Sequence, residues 1–155
     1  MAELSDEVAQ FLSAGTRTGM LGYVAPDGRP LVVGGTSDYS FRGDNRASIF
    51  DPVTASFLQS QSMNDGRWYA TATALGDGRI MAFSGLRSAP GSNNTVEIYD
   101  LRNAGAGWTS PLTAPFVPGL YPRMLLLSNG KVFFTGQGDG NTKPTSWLFD
   151  PAAEP

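Results

Sequence analysis

The sequence of 155 residues contains no cysteine and no histidine. Their absence excludes Cys- or His-ligated metal sites, Ser-His-Asp triads and Cys-His dyads formed within this chain. Any metal site would need carboxylates, phenolates or residues from elsewhere.

Charge and long apolar runs are also scarce. Charged residues make up 16%, the net charge is −3, and no run of Lys or Arg marks a phosphate-binding face. We therefore expect no nucleic-acid partner.

No stretch approaches 18 consecutive apolar residues, which predicts no membrane span. Residues 1–15 carry acids where a signal peptide needs basic and then apolar residues. As written, the chain is predicted to be soluble and unexported. If it is a piece of a longer protein, the compartment is unknown.

What the sequence has in excess is glycine, 19 residues, and proline, 11, together with an internal repeat. Three turn dipeptides, whose glycines lie 50 and 52 residues apart, each precede an apolar strand: Asp27-Gly28, Asp77-Gly78 and Asn129-Gly130. Such dipeptides supply the positive φ angles of two-residue hairpins. A later aspartate recurs at spacings of 49 and 50 residues, at Asp51, Asp100 and Asp150.

A unit of about 50 residues with these signals is typical of a four-stranded kelch-type propeller blade. The prediction is an all-β partial propeller in which 1–15 is an N-terminal segment, 16–62 is blade 1, 63–117 is blade 2 and 118–155 is an incomplete blade 3. Only four residues follow Pro151, so we expect blade 3 to lack its outer strand. Closed propellers contain about four to eight blades, so three cannot close. Leu4, Val8, Phe11 and Leu12 lie at helical spacing, which favours a short helix over a displaced outer strand.

The stretch from Asp65 to Arg79, with Arg67-Trp68-Tyr69 at its centre, resembles a blade of galactose oxidase-like and glyoxal oxidase-like proteins. Leu120-Tyr121-Pro122-Arg123 is similar to the next blade. The resemblance implies a secreted copper-radical enzyme that oxidises a primary alcohol or aldehyde while reducing oxygen to hydrogen peroxide. It also implies that the copper is held by two tyrosines and two histidines, and that one tyrosine is cross-linked to a cysteine. Tyr69 matches the cross-linked tyrosine and is the candidate copper ligand.

The rest of that pattern is missing. Gly19 stands where the resemblance would place the cysteine, and Leu86-Arg87 stands where it would place an aromatic residue over the cofactor. The remaining ligands belong to later parts of such proteins. We therefore expect no cofactor in this chain, with copper entering only through a longer parent protein.

The tyrosines also have a structural interpretation. Gly19, Tyr69 and Tyr121 each lie nine residues before a turn glycine, so they share one position at the start of the innermost strand, near the mouth of the channel. The ligand-binding candidates there are Trp68, as a stacking face for a sugar ring, with Tyr121 and Arg123. Arg67 is interpreted as structural, because kelch blades often begin with an arginine that bonds the backbone of the next blade.

Three other motifs are assigned to structure or surface. The repeated Asp51, Asp100 and Asp150 are predicted to stabilise turns, and the glycine-rich residues 136–141 are predicted to form a loop. Asn93-Asn94-Thr95 fits the N-glycosylation pattern in a predicted surface loop.

Two functions stay open. The first is a propeller module that binds carbohydrate or protein at the channel mouth, packs against the remaining blades of its parent and is not catalytic alone. The alternative is the N-terminal part of a copper-radical oxidase acting on alcohols, aldehydes or sugars, for which the resemblance implies secretion.

Overall fold

The fold is that of a computed structural model, which describes residues 21–25, 27–36, 38, 40–136 and 146–153. The predicted N-terminal helix or strand lies outside these residues. The expected all-β fold is confirmed, because the described strands form three separate antiparallel sheets. None of the helices in the described residues is long and apolar enough to cross a membrane.

Each sheet corresponds to one repeat of the sequence. Blade 1 contains β1 (Leu21–Val24), β2 (Pro30–Val33), β3 (Ala47–Asp51) and β4 (Ser56–Gln59) in sequential order. Blade 2 contains β5 (Thr71–Ala74), β6 (Ile80–Phe83), β7 (Thr95–Tyr99) and β8 (Leu112–Thr113), with a 3₁₀ turn at Leu101–Ala106. Blade 3 contains β9 (Met124–Leu126), β10 (Val132–Phe134) and β11 (Trp147–Phe149). The exact residues at which one blade passes into the next stay a prediction.

The hairpins between the first two strands of each blade form at the predicted dipeptides. Gly28, Gly78 and Gly130 have φ angles of 85°, 87° and 81°, a region that side chains disfavour. The preceding Asp or Asn accepts a hydrogen bond from the backbone amide two residues later, as Asp77 does from Arg79 at 3.1 Å. These turns all lie at the end of the blades away from Tyr69 and Tyr121.

Two apolar layers hold the three blades together. Leu31, Val33 and Ile49 of blade 1 pack with Ile80, Ala82 and Tyr99 of blade 2. Met81, Phe83 and Ile98, on the opposite face of blade 2, pack with Val132 and the partly buried Phe149 of blade 3. The alternation of side chains along each strand produces both layers, since one strand supplies residues to the two sides in turn.

Backbone contacts join neighbouring blades where the innermost strand begins. The Gly35 amide donates to the Arg67 carbonyl at 2.9 Å, and a Cβ on Gly34 would lie 2.1 Å from that oxygen. Glycine is therefore required there for close approach of two backbones. The segment that carries Trp68 and Tyr69 is held directly against blade 1.

Candidate functional site

Tyr69 and Tyr121 lie side by side at the entrance to the innermost strands of blades 2 and 3. The Tyr121 amide donates to the Tyr69 carbonyl at 2.9 Å, and the two ring centroids are 4.9 Å apart. Both residues have positive φ angles, 63° and 51°. Side chains rarely adopt this region, and such strain is often found at functional sites. The structure thus brings together the two tyrosines that the repeat places at one blade position.

The two phenols extend a row of four rings, which we call the mouth cluster: Phe41, Trp68, Tyr69 and Tyr121. The Trp68 ring stacks on Tyr69 at 4.4 Å and contacts Phe41 at 5.5 Å. Phe41 is 69% exposed and Tyr121 is 49% exposed, so the cluster opens to solvent at both ends.

Trp68 itself is only 2% exposed. Its backbone exchanges two hydrogen bonds with Leu86, and its ring contacts the rings of Phe41 and Tyr69. Its indole nitrogen has no hydrogen-bond partner among the described residues. The buried Trp68 ring packs against Tyr69 and presents no open face to solvent. The prediction that Trp68 offers a stacking face to a sugar ring is therefore not supported by its burial. The solvent-accessible rings are those of Phe41 and Tyr121.

Burial and the neighbouring phenol of Tyr69 raise the pKa of Tyr121 above its usual value of 10. The Tyr121 hydroxyl is therefore protonated near neutral pH and can donate a hydrogen bond to a ligand oxygen.

Arg123 is exposed, two residues after Tyr121. Within the described part of the chain its guanidinium makes neither an ion pair nor a hydrogen bond, although its carbonyl accepts from the Thr135 amide at 3.1 Å. Its donors are not taken up by any described residue and can bind a hydroxyl or carboxylate.

Arg67, by contrast, is fully buried and bound. Its guanidinium donates to the Ser84 carbonyl, to both oxygens of Thr95 and to the Glu97 carboxylate at 2.7 Å. The other Glu97 oxygen accepts from the amide and the side chain of Asn64. The guanidinium therefore binds groups inside blade 2 and is not available to a ligand. A structural role for Arg67 is as predicted, but its partners Ser84, Thr95 and Glu97 lie in its own blade and not in the next one.

No family model matches the sequence. An aldehyde oxidase of Vitis pseudoreticulata, named GLOX, is 34% identical over 121 residues, which are 72% of this chain and 21% of that protein. The structure of a fungal alcohol oxidase of the AA5 family, in complex with copper, superposes with a TM-score of 0.70 over 87% of this chain and 31% of that one, at 18% identity.

The chain belongs to the galactose oxidase-like family. The structural likeness supports the propeller fold, and the sequence likeness supports the family. This galactose oxidase-like chain spans about a fifth of the length of its curated relative.

Copper is implied by the family, and the residues of this chain do not fit it on their own. Among the described residues, no three His, Cys, Asp or Glu side chains lie close enough together to hold a metal ion. The mouth cluster offers two phenols, one of them with a raised pKa. A protonated phenol is a poor metal ligand. Tyr69 alone does not make a copper site.

The repeated aspartates of this galactose oxidase-like chain occupy turns, as predicted. Asp51 accepts from the Val53 amide at 2.9 Å, Asp100 from Arg102 at 2.9 Å and Asp150 from Ala152 at 3.1 Å. The pKa of each carboxyl lies below 3.8. The Val53 amide is the main cause for Asp51, and the side chains of Arg102 and Lys131 are the main causes for Asp100 and Asp150, ahead of the backbone bonds.

The N-glycosylation motif at Asn93 does not lie in a surface loop, as predicted, but in the interior. Asn93 is 1% exposed, donates to the Gly66 carbonyl at 3.1 Å and accepts from the Thr95 amide and hydroxyl. A buried, fully bonded amide cannot receive a glycan in the folded protein, so the surface-loop interpretation of Asn93 was wrong. The predicted glycine-rich loop lies almost wholly outside the described residues.

Phe41 belongs to the mouth cluster but was not predicted from the sequence. It lies in a loop with no apolar periodicity and no counterpart in the other repeats. Its positive φ of 61° and its contact with Trp68 come from the tertiary fold, which no local pattern encodes.

Proposed function

We propose that this chain forms one side of a carbohydrate-binding mouth in a galactose oxidase-like propeller and is not catalytic by itself. The observation that carries the proposal is the exposed phenol of Tyr121, packed on Tyr69 and followed two residues later by Arg123, whose guanidinium has no partner among the described residues. Aromatic faces pack against the C–H faces of sugar rings, while a neutral phenol and a guanidinium hydrogen-bond hydroxyls.

The experiment is an NMR titration of the chain with a panel of neutral monosaccharides and short oligosaccharides. We expect shifts confined to the mouth cluster and Arg123, and we expect Tyr121→Ala to weaken binding at least tenfold. Leu125→Ala is the matched control, since Leu125 is exposed to a similar extent in the same blade. Equal binding by the Tyr121 variant, or no shift with any sugar, would reject a carbohydrate site here.

A protein ligand at the same mouth is an alternative that the sequence leaves open. The ring of Phe41, at 69% exposure, suits either ligand. Carbohydrate is preferred because the remaining groups, a phenol donor and a single guanidinium, are better suited to hydroxyls than to an extended apolar surface.

The second candidate is that the longer parent is a copper-radical oxidase to which this chain contributes Tyr69. It is supported by the likeness to an aldehyde oxidase and to an alcohol oxidase described in complex with copper. The parent would have to supply the other ligands and the cysteine. Secretion of the parent is part of the same proposal.

Copper titration of the intact parent separates these candidates. A visible absorption band from tyrosinate bound to copper, lost in Tyr69→Phe, would support the oxidase. A parent that binds sugar without this band would support the binding module.

A further inference from the structure

The segment that carries Tyr121 is fastened to blade 2 by three hydrogen bonds, which we call the mouth clamp. The first is the bond from the Tyr121 amide to the Tyr69 carbonyl at 2.9 Å. The second runs from the Thr71 hydroxyl to the carbonyl of Pro122, the next residue, at 2.7 Å. In the third, the buried Ser84 hydroxyl donates at 2.8 Å to the carbonyl two residues before Tyr121. The clamp fixes one tyrosine relative to the other.

The clamped phenol rings lie next to each other at the surface. Their centroids are 4.9 Å apart and their planes are inclined by 37°. Two phenols joined directly through ring carbons have centroids only slightly closer than this, so a bond between them needs little movement. Tyr121 is 49% exposed, so a dissolved oxidant can reach its ring. Groups that are held in contact react much faster than groups that must meet by diffusion.

The other neighbour of Tyr69 is a poor end point for oxidation. The Trp68 ring stacks on Tyr69 at 4.4 Å, but its indole nitrogen is buried and has no hydrogen-bond partner among the described residues. An oxidised indole would keep its proton there, because none of these residues accepts it. The Tyr121 hydroxyl, by contrast, can release its proton to water. The chain has no cysteine, so no thiol competes for the oxidant. Oxidation is therefore directed to the two phenols.

We propose that Tyr69 and Tyr121 are an oxidative modification site, at which a one-electron oxidant couples them into a dityrosine cross-link between blades 2 and 3. Each phenol gives one electron to the oxidant and its hydroxyl proton to water. The two phenoxyl radicals then form a carbon–carbon bond between ring carbons next to the hydroxyls. The hydrogens on those carbons move to the oxygens and restore both hydroxyls, so the product has two hydrogens fewer. The inference does not rest on the proposed carbohydrate binding.

The test is photo-oxidation of the full 155-residue chain, at low concentration, with ruthenium tris-bipyridine and persulfate. Persulfate takes up the electrons and is reduced to sulfate. We expect dityrosine fluorescence and a monomer whose mass is lower by two hydrogens. The two tyrosines fall in separate tryptic peptides, 68–79 and 103–123, each containing one tyrosine. Mass spectrometry should find these two peptides joined through their tyrosines.

A pair of phenylalanine variants tests which phenols react. Tyr121→Phe keeps the ring and removes the phenol, so it should lower the yield of the cross-link at least tenfold. Tyr99→Phe is the matched control, because Tyr99 is buried and its hydroxyl is bonded to Ser60 at 2.6 Å, outside the mouth cluster. It should leave the yield within about twofold of the original.

A pair of valine variants tests the mouth clamp. Thr71→Val removes the bond to Pro122 and should lower the yield at least threefold. Thr73→Val makes the same change two residues along β5, at a hydroxyl without a hydrogen-bond partner among the described residues, and should leave the yield unchanged. Near-UV circular dichroism checks that all four variants fold.

A cross-link in any other pair of peptides, or cross-links only between two chains, would overturn the proposal. The same yield of the joined peptides in urea would also overturn it, because the coupling would then reflect the reactivity of the phenols and not their placement. Equal yields in Thr71→Val and Thr73→Val would overturn the role of the mouth clamp.

Discussion

The left-handed backbone at Tyr69 and Tyr121 puts side chains where glycine is normally preferred. The equivalent residue of the first repeat is Gly19, which lies outside the described residues. An L-residue in this region costs about 1–2 kcal/mol relative to its ordinary conformations. The ring contacts of the mouth cluster must offset that cost.

The strain can be measured at Tyr121 by comparing two variants that both remove the ring. Tyr121→Gly should be more stable than Tyr121→Ala by about 1 kcal/mol, because only alanine retains the penalty of the positive φ angle. Urea denaturation provides the measurement. At Leu125, in an ordinary strand, the order should reverse, with alanine more stable than glycine. If the alanine variant were more stable than the glycine variant at both positions, the backbone at Tyr121 would be unstrained.

Glu97 provides a second prediction for a single residue. Its carboxylate is the charged partner of Arg67, and both side chains are fully buried. Glu97→Gln should destabilise the protein by about 3–5 kcal/mol, because it leaves a buried guanidinium without its counter-charge. Thermal or urea unfolding would measure the loss.

Asp77→Asn is the matched control for Glu97→Gln. It makes the same carboxylate-to-amide change in a partly exposed pair with Arg79 and should cost less than about 1 kcal/mol. Comparable losses in the two variants would contradict the view that burial makes the Arg67–Glu97 pair critical.

Among the elements, the loop after β6 is fixed to the segment before β5 by one carboxylate. Asp65 accepts from the Arg87 guanidinium, from the Ser88 amide and from the Gly66 amide. Burial alone would raise the pKa of Asp65, but these donors outweigh it and hold the pKa below 3.8.

A carboxyl with a lowered pKa in the folded state stabilises that state above the unfolded pKa and loses its contribution as pH falls through the folded value. The loop should therefore stay ordered near neutral pH and loosen below about pH 4. Amide hydrogen exchange at Ser88, corrected for the intrinsic pH dependence, would report this. Asp65→Asn should remove the step. An unchanged profile in that variant would mean that Asp65 does not control the loop.

The sequence predicted those elements whose cause is local. Asp-Gly and Asn-Gly dipeptides impose their own backbone angles, and the repeat then identified three blades and the shared blade position of Tyr69 and Tyr121. Trp68, Asn93 and Phe41 were not predictable in this way. The burial of Trp68 and Asn93 depends on hydrogen bonds to loops far along the chain, and Phe41 reaches Trp68 only after blades 1 and 2 pack together.

At the scale of the whole molecule, blade 3 differs from the other two in what covers its second face. Leu31 and Ile49 of blade 1 are covered by blade 2, and Met81 and Ile98 of blade 2 are covered by blade 3. The corresponding row in blade 3 consists of Leu125, Phe133 and Leu148, which are paired across neighbouring strands and therefore share one face. Leu125 and Leu148 are 54% and 53% exposed.

A contiguous apolar row on a sheet face is a surface for association with another blade or another molecule. We predict that the 155-residue chain self-associates through this row at high concentration, and that the double variant Leu125→Lys/Leu148→Lys shifts it towards monomer. Sedimentation velocity over a range of concentrations would measure the shift. Val53→Lys is the control, because Val53 is 91% exposed in a turn of blade 1 and lies outside the row. If the unsubstituted chain is monomeric at every concentration tested, the exposed row does not drive self-association.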